Sequence, residues 1–292
     1  MLCACIDIGT NTTRVLVAEA REGRLTEVMQ RRAFTRMGKG MAGDGAILPE
    51  KIAEVAGVVA EQRRLADELG AAHLRVVATA AIRGAANRDA FVAAVRERAG
   101  VDVEILDGDG EARLAFLGAT RTLGEALDGR VGVVDVGGGS SELAVGTLAG
   151  GVTWSASFPL GSGLLADHYL HSDPPSVDEL RALREHAHGV FDGLDIPRPE
   201  CAVAVGGSAA SLRRLVGRVL DPGTLEGALR VLSGETVEQV AYRFALDPAR
   251  VRLLPAGILI LDAASQRFGR PLRIGKGGIR EGVLLELAAG GD

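Results

Sequence analysis

The stretch CIDIGTNTTRVLVA (residues 5–18) reads almost as a template for VVDVGGGSSELAVG (residues 133–146). Both run apolar, Asp, apolar, Gly, two variable residues, two hydroxyls, one charge and then an apolar strand. Asp7 aligns with Asp135, Gly9 with Gly137, Thr12 and Thr13 with Ser140 and Ser141, and Arg14 with Glu142. Each copy places an Asp at the end of a strand before a tight glycine turn. There, backbone N–H groups can approach an anion and hydroxyls add donors. A carboxylate repels phosphate, so its useful role is to hold a divalent cation, directly or through water. One such hairpin is as often structural as functional. Two in one chain indicate a duplicated domain that grips a phosphate chain from both sides of a cleft.

Outward from these loops the chain alternates strands and helices, as an α/β protein does. Strands are expected at 4–9, 14–20, 25–37, 73–82 and 101–108. Helices are expected from Pro49, over 87–100 with Asn87 as cap and Gly100 as stop, and over 110–123. The plan then repeats: a hairpin at 131–146, strands at 152–160, 201–207 and 271–278, and helices within 175–193, 208–219, 233–245, 247–269 and 279–289. The length of 292 residues allows two domains, and no Pro/Ser-rich linker separates them.

The formal charge of −5 argues against nucleic acid or an anionic membrane as partner, while leaving room for a basic cleft. No apolar run reaches the ~18 residues of a membrane helix and no leader opens the chain, so a cytoplasmic location is expected. Cys3, Cys5 and Cys201 are too few for a disulfide framework, and the C-x-C pair reads as packing. Lys39 and Lys276 each lie between glycines in a chain whose other lysine is Lys51; either is a solvated loop residue or a point charge for phosphate. Neither carries the spacing of a Walker-type loop. No nucleophile elbow or zinc-spaced histidine pair is present.

Several segments in order resemble the exopolyphosphatase/guanosine-pentaphosphatase family of the sugar-kinase/Hsp70/actin superfamily. They are IDIGTNTTRVLV, ATAAIRGAANRDAF, DGDGEARLAFLGA, VVDVGGGSSELAVG, FPLGSGLL, AVGGSAASL, LLPAGILIL and GKGGIREGVLLEL. The resemblance implies two ribonuclease H-like (actin-like ATPase) α/β domains with an interdomain active-site cleft. Residues 1–120, joined by a closing helix at 279–292, would form the first and 121–278 the second, with crossings near 118–128 and 277. It implies hydrolysis of a terminal phosphoanhydride with Mg²⁺, Mn²⁺ being the alternative. By the same resemblance Glu111 is the general base. Many members have two adjacent Glu there, and here Gly110 takes the first place, with Asp107 and Asp109 nearby. Independently, Glu111 lies in the first turn of a helix, where a carboxylate is favoured, and can deprotonate a water.

Arg83 resembles the family's cleft arginine, able to bind two phosphate oxygens. Asp7, Asp135 and Glu142 resemble the acidic residues around the metal. Asn11, Thr12, Gly137, Gly138, Gly139 and Ser140 would donate to phosphates. Gly206, Gly207 and Ser208 resemble a third loop at a strand-to-helix junction. The implied partners are inorganic polyphosphate or guanosine pentaphosphate, with a homodimer possible. Longer relatives carry an added C-terminal helical region, so short chains are the expected polyphosphates. A sugar or acid kinase and a non-catalytic polyphosphate sensor are the rival readings. The hydrolase is favoured by Glu111 and Arg83, and the sensor is opposed by the intact Asp7, Glu111, Asp135 and Glu142.

Overall fold

A computed structural model describes residues 1–124 and 127–290. The first half contains β1 (Leu2–Ile8), β2 (Thr13–Arg21), β3 (Arg24–Ala33), α1 (Pro49–Glu68), β4 (His73–Ala78), α2 (Ala80–Arg83), α3 (Arg88–Ala99), β5 (Val103–Ile105) and α4 (Gly108–Thr122). The second contains β6 (Val131–Val136), β7 (Ser141–Thr147), β8 (Gly151–Phe158), α5 (Ser162–Tyr169), α6 (Val177–Val190), β9 (Cys201–Val205), α7 (Gly206–Val216), β10 (Val219–Leu220), α8 (Pro222–Gly234), α9 (Val237–Phe244), α10 (Pro248–Val251), α11 (Leu254–Phe268), β11 (Leu272–Ile274) and α12 (Ile279–Ala289).

The strands form two sheets of one plan. The first has the order β3-β2-β1-β4-β5 and the second β10-β11-β9-β6-β7-β8. In each, an antiparallel meander (β1–β3 or β6–β8) continues through its first strand into parallel partners. The duplication read from the sequence holds residue by residue. Asp7 pairs with Arg14 and Asp135 with Glu142 across equivalent hairpins. The loops close alike, Gly9 N donating to Thr12 O at 3.0 Å and Gly137 N to Ser140 O at 2.9 Å.

Alternation along β1 decides which side each residue serves. Ala4, Ile6 and Ile8 pack under α1 and α3 with Val55, Val59, Phe91 and Val95. Cys3 and Cys5 face the other way, against Leu114 of α4 and Val283 and Leu284 of α12. The C-x-C pair is packing, and all three cysteines are free. α4 turns Ala112, Ala115, Phe116 and Ala119 onto the second sheet, among Val131, Val133, Ala144, Val203 and Val205. On the far side of that sheet lies the largest core, built around α11. The layers are therefore α1/α3, first sheet, α12 and α4, second sheet, outer helices.

The two central helices touch backbone to backbone. A Cβ on Gly118 would overlap the Gly278 carbonyl, and one on Gly282 would overlap the Leu114 carbonyl. Small residues at both positions let the helices approach that closely.

Several local expectations change. The strand expected over 73–82 stops at Ala78, where Thr79 takes the N-cap position and α2 begins at once. Asn87 does not cap α3. Its amide instead bridges to Ile47, accepting from Ile47 N at 2.8 Å and donating to Ile47 O at 2.9 Å. The segment 247–269 is two helices rather than one. α5 and α8 lie in stretches given no element from the sequence. The expected crossing at 118–128 includes residues 125–126, and the closing helix includes 291–292; those residues lie outside the described ones. No helix among the described residues is long and apolar enough to cross a membrane.

Candidate active site

Between the sheets opens a cleft of about 160 Å³. Both hairpin loops line it, as do the first turns of α4, α7 and α12. Three helix N-termini thus present their positive ends to one space, which favours an anion. The hairpin loops also meet one another. A Cβ on Gly138 would lie 2.6 Å from Asn11 Nδ2, and one on Gly139 would overlap Thr10 Oγ1. A side chain at either position would have to displace Asn11 or Thr10 from the opposite loop.

The acidic residues converge as expected from the sequence. Asp7, Glu111, Asp135 and Glu142 all line the cleft, and Glu111 is only 2% exposed. Asp107 accepts from Gly110 N at 2.7 Å as the cap of α4. Asp109 accepts from Ser155 Oγ at 2.8 Å, outside the cleft. Of the three carboxylates in DGDGE, Glu111 alone reaches the site. Arg83 donates to Glu111 Oε1 and, at 2.7 Å, to Leu106 O. It therefore stands behind the carboxylate rather than on the cleft wall.

Crowding four buried carboxylates raises their proton affinity. Burial, then the Glu142 charge, pushes Glu111 well above the ordinary Glu value, against the pull of Arg83. Burial raises Glu142 too, although Ser157 Oγ donates to it at 2.8 Å. Asp135 is pushed up to about 7 by burial, then by Glu142 and Asp7. Asp7 is raised by burial, and its Oδ1 is buried without a hydrogen-bond partner.

That orphaned oxygen, among carboxylates held against their charge, suits a cation. Among the described residues no three His, Cys, Asp or Glu side chains converge into a complete ligand set. Mg²⁺ is compatible with this, since it keeps several waters and binds one or two carboxylates plus substrate phosphate oxygens.

The remaining expected residues divide. Asn11, Thr12, Gly137, Gly138, Gly139, Ser140 and Gly207 line the cleft, and Asn11 Nδ2 is buried without a partner. Ser208 does not line it. The side chain is fully buried, packed against Gly257 of α11, because the position immediately after the glycine pair turns inward on α7.

A cationic set went unassigned in the sequence: Arg14, Arg250 and Arg280 line the same space, together with Lys276. Burial and the neighbouring Arg280 and Arg250 push Arg14 down to about 9. Burial, with Arg32 nearby, pushes Arg250 down to about 10. Arg250 is 5% exposed, its Nε has no partner, and a Cβ on Gly207 would lie 2.5 Å from its Nη1. Arg14 was legible as the cradle position that aligns with Glu142. Arg250 sits on the short α10, where no motif marks it.

Buried acids, buried guanidiniums and two glycine loops thus line one cleft. The chain matches the Ppx/GppA phosphatase family over residues 16–289. It is 29% identical to exopolyphosphatase 1 of Mycobacterium leprae, over 98% of this chain and 89% of that protein. It is 29% identical to exopolyphosphatase 2 of Mycobacterium tuberculosis, over 98% of each. The crystal structure of the Aquifex aeolicus member of the Ppx/GppA family superposes with TM-score 0.85 at 28% identity, over 100% of this chain and 99% of that one. An exopolyphosphatase from Cytophaga hutchinsonii shares the fold, with TM-score 0.89 at 21% identity, over 99% of this chain and 98% of that one.

Proposed function

The chain belongs to the Ppx/GppA phosphatase family, and from that premise we propose that this phosphoanhydride hydrolase is an exopolyphosphatase releasing orthophosphate from the ends of inorganic polyphosphate. The observation that carries the reading is the buried Glu111, held by Arg83 and facing two glycine cradles across one cleft.

The loops at 9–12 and 137–140 hold the terminal phosphates through N–H groups and hydroxyls. Arg14 and Arg250 neutralise the chain that enters. One or two of Asp7, Asp135 and Glu142, with waters, would hold Mg²⁺, which would supply charge neutralisation on the phosphate oxygens. Glu111 accepts a proton from the attacking water as its oxygen bonds to the terminal phosphorus. The bond from that phosphorus to the bridging oxygen breaks, and the shortened chain leaves with the electron pair. Arg83 orients Glu111 and favours its ionised form against burial and the Glu142 charge.

The test is orthophosphate release with Mg²⁺ from tripolyphosphate, a long polyphosphate and guanosine pentaphosphate, with Glu111→Gln as control. Release from polyphosphate that depends on Glu111 supports the reading. Release from guanosine pentaphosphate alone replaces the substrate, and binding of all three without release replaces the enzyme with a sensor.

The pH profile follows from the same groups. Glu111 acts only when ionised, so kcat/KM climbs with pH through its pKa. Arg83 lowers that pKa and Glu142 raises it. Arg83→Gln is therefore expected to move the acid limb to higher pH, and Glu142→Gln to lower pH, whatever each does to the maximum. Limbs that stay in place in both variants would remove Glu111 as the titrating base.

A further inference from the structure

The segment FPLGSGLL (residues 158–165) stands out in the sequence, yet Gly161, Ser162, Gly163 and Leu164 do not line the cleft. They stand directly behind the second hairpin loop. Ser162 N and Ser162 Oγ both donate to Gly137 O, at 2.9 and 3.0 Å. Gly163 N and Leu164 N both donate to Gly138 O, at 2.9 and 3.1 Å. These three N–H groups open α5, where the helix itself offers them no carbonyl. The loop's carbonyls satisfy them instead. The approach is close. A Cβ on Gly161 would overlap the Gly138 carbonyl, and one on Gly163 would lie 2.9 Å from Gly138 O. Ser162 is 1% exposed.

Peptide planarity carries this arrangement through to the cleft. In a trans peptide the C=O and the next N–H point in opposite directions, and the peptides of this loop are trans. Gly137 O is drawn toward α5, so the Gly138 N–H points away from that helix. Gly138 O is drawn the same way, so the Gly139 N–H points away as well. The side away from α5 is the cleft, which Gly137, Gly138 and Gly139 line and the start of α5 does not. Among the described residues, neither Gly138 N nor Gly139 N donates to another group of the chain. The first half has a looser counterpart in the segment that follows β3. There Arg36 N donates to Asn11 O at 3.0 Å and Gly38 N to Thr10 O at 3.4 Å, with backbone donors alone.

Taking the cleft as a polyphosphate site, we infer that Ser162 is a positioning residue for phosphate binding. Its hydroxyl does not touch the substrate. It acts through the Gly137 carbonyl and keeps the Gly138 N–H turned toward the anion. The same hydrogen bond polarises that peptide and strengthens the opposite N–H as a donor. With the hydroxyl gone, Gly137 O keeps one donor, Ser162 N. The glycines on both sides of the peptide oppose its rotation little, since glycine accepts most φ and ψ values. A rotated peptide turns carbonyl oxygen toward phosphate, where it repels.

The test is steady-state kinetics of Ser162→Ala on tripolyphosphate with Mg²⁺, beside wild type and Ser265→Ala. Ser265 Oγ also donates to a backbone carbonyl, that of Arg270 at 2.8 Å, from a buried site that does not line the cleft. In Ser162→Ala, KM is expected to rise about fivefold, the effect of one lost hydrogen bond, with kcat within about twofold of wild type. Ser265→Ala is expected to lower Tm as far as Ser162→Ala does and to leave KM unchanged. Calorimetry of tripolyphosphate binding, with Glu111→Gln in all three proteins, reads the same difference as Kd without turnover. KM and Kd unchanged in Ser162→Ala, a loss confined to kcat, or an equal rise in Ser265→Ala would overturn the inference. Wild-type protein that releases no phosphate, with a Glu111→Gln protein that binds no tripolyphosphate, fails the activity itself, a result distinct from these.

Discussion

Glu111→Gln lowers turnover on polyphosphate by on the order of 10²–10⁴, with KM changed by no more than about threefold. Glutamine keeps the volume and an oxygen for Arg83 to donate to, but takes no proton from water. The substitution also removes one negative charge from a group of four buried carboxylates, each of whose ionisation is opposed by burial. The metal-free variant is therefore expected to melt no lower than wild type. Measuring Tm beside kcat separates a lost base from a lost fold. A well-folded variant within about tenfold of wild-type turnover would move the base to another residue.

Gly282→Ala is expected to destabilise the protein by about 3 kcal/mol, the upper part of the usual range for overpacking. The added methyl meets the backbone of Leu114, which cannot rotate away as a side chain could. Gly118→Ala presses on the same crossing from the other side, against Gly278. The two costs should not add, since either forces the same separation. Scanning calorimetry reads the effect, at roughly 2–4 °C of Tm per kcal/mol for a chain of this size. Turnover should fall as well, because α4 carries Glu111 and α12 carries Arg280 into the cleft. A Gly282→Ala protein melting with wild type would mean that the helices part at little cost.

The residues at strand ends were the most legible part of this chain. Alternating apolar patterns and Asp-Gly turns act over a few neighbours, so Asp7 aligns with Asp135 and Arg14 with Glu142 in the sequence itself, and each hairpin then pairs its own two residues. Glu111 was legible for a related reason, since its helix begins beside it.

Features that depend on distant neighbours were not legible. Asn87 has the sequence position of a cap, yet its amide is taken by Ile47, forty positions away. Ser208 follows two glycines as a phosphate ligand would, and the rotation of α7 turns it into the core instead. Arg250 becomes a cleft residue because α10 sets it against Gly207, which lies on another element. α8 begins with an Asp221–Thr224 capping box, a local signal that was present and went unread.

The exchange of central helices bears on how the molecule holds together. α4 follows the strands of the first sheet in sequence, yet most of its apolar face lies on the second. α12 follows the strands of the second sheet and covers Cys3, Cys5 and Leu16 of the first. Each half thus completes its interior with a helix contributed by the other, and a cut through the chain between them would strip both. The two sheets are thus tied through one shared layer, and the helices they exchange are the ones that place Glu111 and Arg280 in the cleft.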